Sequence, residues 1–391
     1  MTSHSADILN GLRQAIGPPG SGIPLHEPEF TELENAYVMD CLKSTFVSSV
    51  GEYVDRLEAK LSAFTGARHV VVVTNGTAAL QVALSLAGVK PDDEVLVPAM
   101  SFVATANAVS HCHAVPHFVD VDESTFGIDA SSLRAHLQQR AALSAKGLVN
   151  VETGRTIKAL VPMHAFGHPA DMDALLEIAD EFDLQIVEDA AESLGSIYKD
   201  KHTGTLGKLG TLSFNGNKIV TTGGGGAILT DDDELARMAK HLTTTAKVPH
   251  SWQFKHDMVA WNYRMPNINA ALGCAQMDQI QSKLERKRSL AARYSDVFSN
   301  ISGCSFMAEP ASTVSNYWLC SIRLEESDQD VLGSILSDLH QERYFCRPAW
   351  DLLCDLPPYI ACPKANLPVA RKLVNSIICL PSSPQLLENL I

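Results

Sequence analysis

The sequence predicts an α/β protein: a mostly parallel sheet with helices on both faces, followed by a smaller α+β domain. Three observations carry this. Short apolar runs alternate with helix-period segments from His69 to Glu188, the pattern of strands joined by crossover helices. After about Leu242 the alternation stops, and Pro266 to Phe298 reads as one long helix. The 391 residues exceed one typical core, so two domains are expected: residues 1–245, a large domain with an N-terminal arm, and residues 246–391, a small C-terminal one.

The elements follow in order. The opening MTSHSADILNGLRQAIG is helix-like and stops at the breaker cluster Gly17 to Gly20. Glu27 to Ser44 has helical spacing, Ser48 to Gly51 reads as a turn, and Gly51 to Gly66 is an amphipathic helix closed by glycine. His69 to Thr74 is a buried strand and Thr77 to Gly88 an apolar helix. Glu94 to Val97 is the next strand, Ser101 to His111 the next helix, and Val115 to Val121 another strand. Residues 134–156 interrupt the alternation as an insertion, with a hairpin turn expected at Glu152 to Arg155. Ile157 to Met163, Asp171 to Phe182 and Leu184 to Glu188 resume it as strand, acid-capped helix and strand. In the second half, Tyr317 to Leu324 is a strand, Asp328 to His340 a helix, and Ile377 to Leu380 a short strand before Pro381.

Composition narrows the class. Hydrophobic residues make up 46% and charged residues 19%, ordinary for a soluble globular chain. A net charge of -14 is a poor electrostatic match for nucleic acid or anionic membrane, so neither is expected as a partner. Nine cysteines with no CxxC pair, mostly among apolar neighbours, predict buried free thiols in a reducing compartment. No apolar run has the length of a membrane span, and the N-terminus lacks the pattern of a signal peptide. A cytoplasmic protein is expected. His111, Cys112 and His113 are adjacent, so they do not converge on one ion, and no metal is expected.

The chemistry centres on GTLSFNGNKIVTTGGGGAILT, Gly210 to Thr230. Lys218 lies between two apolar strand-like runs. Burial disfavours the ammonium form, and such lysines serve as amine nucleophiles. The glycines from Gly223 to Gly226 let backbone approach a ligand closely. Upstream, Thr74 to Leu80 is a glycine-bearing turn between strand and helix, whose first-turn amides form an anion cradle; capping of that helix by Asn75 or Thr77 is the plainer reading. Glu188 and Asp189 end a strand where ligands collect in open α/β sheets, with an N-cap as the alternative for Asp189. Phe102 is placed early in a helix, able to cover a flat ring. Together an anion cradle, a carboxylate, an amine and an aromatic cover suit pyridoxal 5'-phosphate (PLP). Arg347 and Trp350 are candidates for contact with a sugar or diphosphate, with a structural role as the equal alternative.

The blocks TNGTAAL at Thr74, PAMSFVATANA at Pro98, MHAFGHPADMDAL at Met163, VEDAAESLGS at Val187, SFNGNKIVTTGGGGAI at Ser213 and NYRMPNINAALG at Asn262 carry a resemblance. From about Ile23 to Pro384 the chain resembles the DegT-type, PLP-dependent nucleotide-sugar aminotransferases. The resemblance implies the fold-type I, aspartate-aminotransferase-like architecture. It implies that Lys218 holds the cofactor covalently, that Asp189 pairs with the ring nitrogen, and that Glu192 sits near the ring where many relatives have Gln or His. It implies that Gly76, Thr77 and Ser213 hold the phosphate, that Phe102 stacks on the ring and that His164 lies beside it. It also implies that Asn262 reaches the phosphate of a neighbouring subunit in a homodimer. Ala260 and Trp261 replace the Gly-aromatic pair usual before that asparagine.

PLHEPEF, STFVSSVGEYVDRLE and the insertion look most like the branch acting on UDP-linked 4-keto sugars in legionaminic-acid-type pathways. The activity so implied is transfer of an amino group from L-glutamate to the C4 ketone of a UDP-linked 4-keto-6-deoxy sugar, for lipopolysaccharide or related bacterial surface glycans. A dehydratase on the same fold replaces the lysine with histidine, which position 218 does not. A non-catalytic regulator on this fold has no need of both Lys218 and Asp189.

Overall fold

The computed structural model describes residues 3–390; residues 1, 2 and 391, at the outer ends of the two expected domains, lie outside the described residues. Strands β1 (His69–Val73), β2 (Glu94–Pro98), β3 (Val115–Val119), β4 (Ile157–Leu160), β5 (Gln185–Asp189), β6 (Leu209–Ser213) and β7 (Gly226–Thr230) form a seven-stranded sheet in the order β1-β7-β6-β5-β4-β2-β3. Strand β7 is antiparallel to both neighbours and the other pairs are parallel. Strands β1 to β6 therefore all point one way. Val71 to Val73 and Val95 to Val97 are buried, as continuous apolar strands must be when both faces of a sheet are covered.

The chain enters through helices α1 (Ser3–Ile16), α2 (Glu32–Ser44) and α3 (Glu52–Thr65). Helix α2 starts later than its spacing predicts. Pro28 disfavours helical backbone at Glu27, and Thr31 caps the helix, its backbone N–H donating to Glu34 Oε2 at 2.6 Å. Helices α4 (Gly76–Leu86), α5 (Ala104–His111), α6 (Ala130–Arg140) and α7 (Met172–Phe182) lie between the strands, and α8 (Asp233–Thr243) follows the sheet. The insertion reverses twice. Residues 141–144 pair with 147–150 around Ala145 and Lys146, a hairpin absent from the sequence reading. The expected turn at Glu152 to Arg155 closes through the Asn150 N–H donating to the Arg155 carbonyl at 2.9 Å.

In the second half, α9 (Asn267–Asp278), α10 (Ile280–Phe298) and α11 (Gln329–Gln341) accompany an antiparallel sheet of β8 (Cys304–Phe306), β9 (Ser321–Leu324), β10 (Arg347–Pro348) and β11 (Ile377–Cys379), ordered β8-β9-β11-β10. The long helix expected from Pro266 to Phe298 is two helices. Tyr37 donates to Asp278 at 2.8 Å and Gln279 donates to Glu34 at 2.6 Å, so contacts to α2 turn the chain where neither Gly nor Pro marks a break. The strand expected from Tyr317 begins only at Ser321, because Tyr317 is left-handed at φ 47°.

Packing crosses chain order. Ile8 and Leu12 of α1 are buried with Tyr294, Ile322 and Leu339, while α9 packs on α2 and α3. We propose that a division at 245/246 is straddled by these two helices, each packed on the other part.

Candidate active site

Because β1 to β6 run one way, their C-terminal ends share one edge of the sheet. A cavity of about 580 Å³ lies there. Its wall takes Gly76 and Thr77 after β1, Phe102 after β2, Asp189 and Glu192 from β5 onward, Ser213 at the end of β6, and Lys218 from the β6–β7 connection.

Asn75 caps α4, its Oδ1 accepting from the Ala78 N–H at 2.8 Å. The first-turn amides of Gly76 and Thr77 have no partner within the helix. A Cβ on Gly76 would stand 2.9 Å from Ser213 Cβ, and one on Gly226 would stand 2.7 Å from the Gly76 nitrogen. Both positions need glycine for that close approach, which brings the Ser213 hydroxyl beside the helix start. The capping reading and the anion cradle thus coexist: Asn75 caps and the glycine turn stays open.

Successive strand residues point to opposite faces, and this separates the two acids of β5. Asp189 faces the cavity; it accepts from Thr105 Oγ1 at 2.8 Å and from the Ala191 N–H at 3.2 Å. Burial raises its pKa against those bonds and the charge of Lys218. Glu188 faces away and accepts backbone N–H groups of Gly204, Leu206 and Gly207 at 2.6–2.7 Å. It ties down the loop before β6.

Lys218 Nζ lies 3.3 Å from Glu192 Oε1 and 3.5 Å from the centroid of the Trp318 ring. Trp318 is anchored by its indole N–H donating to the Asn217 carbonyl at 2.8 Å. Glu192 Oε2 accepts from the Phe166 N–H at 2.9 Å. Burial lowers the Lys218 pKa, opposed by Glu192 and Asp189, and raises that of Glu192 to about 7, opposed by Lys218. Two buried carboxylates face one amine, and burial works against the charged form of all three.

Phe102 is half exposed on the cavity wall and precedes α5 by two residues, where a place inside the helix was expected. Arg347 and Trp350 reach the same wall from the second half of the chain. Trp350 stacks on Phe166 with ring centroids 4.7 Å apart.

Two expected residues are elsewhere. His164 is fully buried with Nε2 3.0 Å from Glu188 Oε2, and its Nδ1 accepts from the Ala170 N–H. It follows Glu188 to the far side of β5 and is absent from the cavity wall, which corrects its expected place beside the ring. Asn262 is exposed, accepts from Arg264 Nε at 2.9 Å, and does not line the cavity of its own chain. Sequence reasoning missed Trp318 and Thr105. Trp318 carries no local signal, and Thr105 reads as an ordinary helix residue. It also passed over His26, next to the wall residue Leu25. Both ring nitrogens of His26 are buried without a partner among the described residues, and burial, then Lys287, Lys218 and Lys283, pushes its pKa well below 6.5.

The donor set fits PLP. Amides and a hydroxyl suit its phosphate. Asp189 is a buried carboxylate with no cation in direct contact among the described residues, as a partner for a protonated ring nitrogen would be. Lys218 supplies the amine.

Comparison with known proteins agrees. Residues 28–391 match the DegT/DnrJ/EryC1/StrS aminotransferase family. The chain is 33% identical to the GDP-perosamine synthase of Caulobacter vibrioides, over 89% of this chain and 90% of that one. It is 29% identical to the UDP-2-acetamido-2-deoxy-3-oxo-D-glucuronate aminotransferase of Pseudomonas aeruginosa, over 86% and 87%. The PLP form of a putative sugar aminotransferase from Streptococcus pneumoniae superposes with a TM-score of 0.82 at 27% identity, covering 92% of this chain and 93% of that one.

Proposed function

Because the chain belongs to the DegT/DnrJ/EryC1/StrS aminotransferase family and its cofactor is PLP, we propose that it moves an amino group from L-glutamate to the C4 ketone of a UDP-linked 4-keto-6-deoxy sugar. The observation that carries this is one cavity with Lys218, Asp189 and the glycine turn at Gly76 on its wall. Bound there, PLP supplies an electron sink for the carbon that exchanges the amine.

The chain's residues divide the remaining work. Gly76, Thr77 and Ser213 hold the phosphate, and Asp189 holds the ring nitrogen in its protonated form. Lys218 anchors the cofactor and, once released, would take a proton at Nζ from the amino donor's α-carbon in the first half-reaction and deliver one to the sugar's C4 in the second. Glu192 keeps that amine in place. Phe102 covers one ring face, and Arg347 with Trp350 receives the sugar diphosphate. No helix among the described residues is long and apolar enough to cross a membrane, in keeping with a nucleotide-sugar substrate in water.

The UDP reading rests on PLHEPEF, STFVSSVGEYVDRLE and the insertion at residues 134–156. The relative named GDP-perosamine synthase supports a GDP-linked substrate as the second reading. A screen of UDP- and GDP-linked 4-keto sugars with L-glutamate, read by mass spectrometry, separates them. The expected result is amine-for-oxygen exchange on the UDP sugars, with a cofactor absorbance band that shifts on adding glutamate. Exchange on GDP sugars alone selects the second reading, and a colourless protein that exchanges neither overturns both.

We place Asn262 in the phosphate site of a second subunit, since it is exposed and absent from its own cavity wall. By two-fold symmetry, a dimer of one Lys218→Ala and one Asn262→Ala subunit has one site with both lesions and one with neither. Mixing the two proteins at limiting PLP is expected to restore up to about half of wild-type activity in the mixed dimers, about a quarter for a randomly exchanged equimolar mixture. No gain despite demonstrated subunit exchange excludes the shared site.

A further inference from the structure

Beside β3, the last strand in the order of the large sheet, lies a second cavity, of about 350 Å³. It is walled by α6, the turn after the inserted hairpin and residues 364–366, the last bonded to β3 through the Ala365 N–H donating to the Phe118 carbonyl at 2.8 Å. Its polar wall includes His136, Gln139, Arg140, Glu152, Lys364 and Asn366. None of these residues lines the catalytic cavity.

Behind the wall runs a chain of titratable groups. Glu94, the first residue of β2, is fully buried. Its Oε2 accepts from Asn150 Nδ2 at 2.9 Å and lies 2.8 Å from His117 Nδ1, while Thr153 donates to Oε1. Burial works to raise the Glu94 pKa, but the bonds from His117, Thr153 and Asn150 hold it below the usual value. The far nitrogen of His117, Nε2, lies 2.8 Å from His136 Nε2, and His136 is on the cavity wall.

The protons on this chain have two arrangements. An ionised Glu94 requires a proton on His117 Nδ1, because a carboxylate only accepts. One proton must also lie between the two Nε2 atoms. If it belongs to His136, both rings are neutral and His136 Nδ1 is a bare acceptor. If one more proton enters the pair, one hydrogen still lies between the two Nε2 atoms and His136 Nδ1 carries another. A single proton thus converts Nδ1 from acceptor to donor.

We propose that this cavity is a second binding site, for a tetrahedral oxyanion of the sulfate or phosphomonoester class, and that the anion binds together with one proton on the His117–His136 pair. Donors surround the cavity: the Lys364 ammonium, the Arg140 guanidinium and the amides of Gln139 and Asn366. Glu152 opposes an anion, and its bond to Arg140 must loosen or be shared. Without an anion, burial, His117 and Arg140 push His136 down to about 4 while Glu94 pulls the other way. An anion supplies the opposite charge that lets the pair take up its proton near neutral pH.

The test is calorimetric titration of PLP-loaded enzyme with sulfate, which does not itself titrate near neutrality. Running it in two buffers of different ionisation enthalpy counts protons. The expected result is one sulfate per chain, uptake of up to about one proton, and affinity that falls as pH rises, by at most about tenfold per pH unit, until the bound pair gives up its proton. His136→Gln is expected to abolish the proton uptake. Lys364→Ala, on an exposed side chain, is expected to weaken binding about tenfold. Glycerol 3-phosphate run in parallel separates a free ion from the phosphate end of a metabolite by which binds tighter. Absence of sulfate binding to folded holoenzyme overturns the proposal, as does binding that takes up no proton or ignores both substitutions.

Discussion

Lys218→Ala is expected to lower transamination at least about 10³-fold, within the range contributed by a positioned proton-transfer group and compounded by loss of the cofactor anchor. The fold should survive. Lys218 lies on the β6–β7 connection, with its amine against Glu192 and Trp318 rather than in an apolar core. Removing it does not strand a charge, because Glu192, already raised to about 7 by burial, takes a proton once the amine that opposed that rise is gone. Steady-state assay at saturating PLP, with a thermal melt alongside, measures both expectations. Borohydride treatment of the wild-type holoenzyme should attach the cofactor to the peptide holding Lys218 and to no other. A wild-type rate in Lys218→Ala, or label on another lysine, would sink the assignment.

Asp189→Asn is expected to cost about 10²–10³-fold in rate, the scale of leaving a buried charge without its partner. Asparagine has nearly the same shape and still accepts from Thr105 Oγ1, so packing around β5 should persist. What it loses is the negative charge that holds a proton on the ring nitrogen, and with it the electron sink. Cofactor should still bind, more weakly, since Gly76, Thr77 and Ser213 are untouched. The measurement is kcat at saturating PLP together with the absorbance of the bound cofactor. An unchanged kcat would make Asp189 a structural acceptor for Thr105 and the Ala191 amide, and nothing more. In the neighbouring position, Glu188→Gln should act through stability, because Glu188 binds the loop amides of Gly204, Leu206 and Gly207.

Much of the cavity was legible because strand-end chemistry is local. A glycine turn after an apolar run announces a helix start with free amides, whatever packs around it. An acid at the end of a buried strand announces the ligand edge of the sheet. Those rules pointed to the turn at Gly76 and Thr77 and to Asp189, and the setting of Lys218 between apolar runs pointed to the amine; Ser213 came only from the family resemblance, and all five line one wall. The resemblance misplaced His164, four residues after the end of β4, because nearness in sequence to the ligand edge does not say which face of the sheet a side chain takes. Local rules failed at Gln279, where bonds from Gln279 to Glu34 and from Tyr37 to Asp278 break a helix that propensity would continue.

By itself the sequence determined the class of sheet, the places of most helices and strands, and the residue types at the ligand edge. Each depends on the period of apolar side chains or on backbone limits at Gly and Pro, and these act over a few neighbours. Only the tertiary structure decided that Trp318 lies against Lys218, that of the two acids of β5 it is Asp189 that faces the cavity, that α1 packs on α10 and α11, and that Glu94, His117 and His136 form one hydrogen-bonded chain. Those pairs are far apart in sequence or differ only in direction, so their meeting depends on how whole layers pack and leaves no periodic trace along the chain.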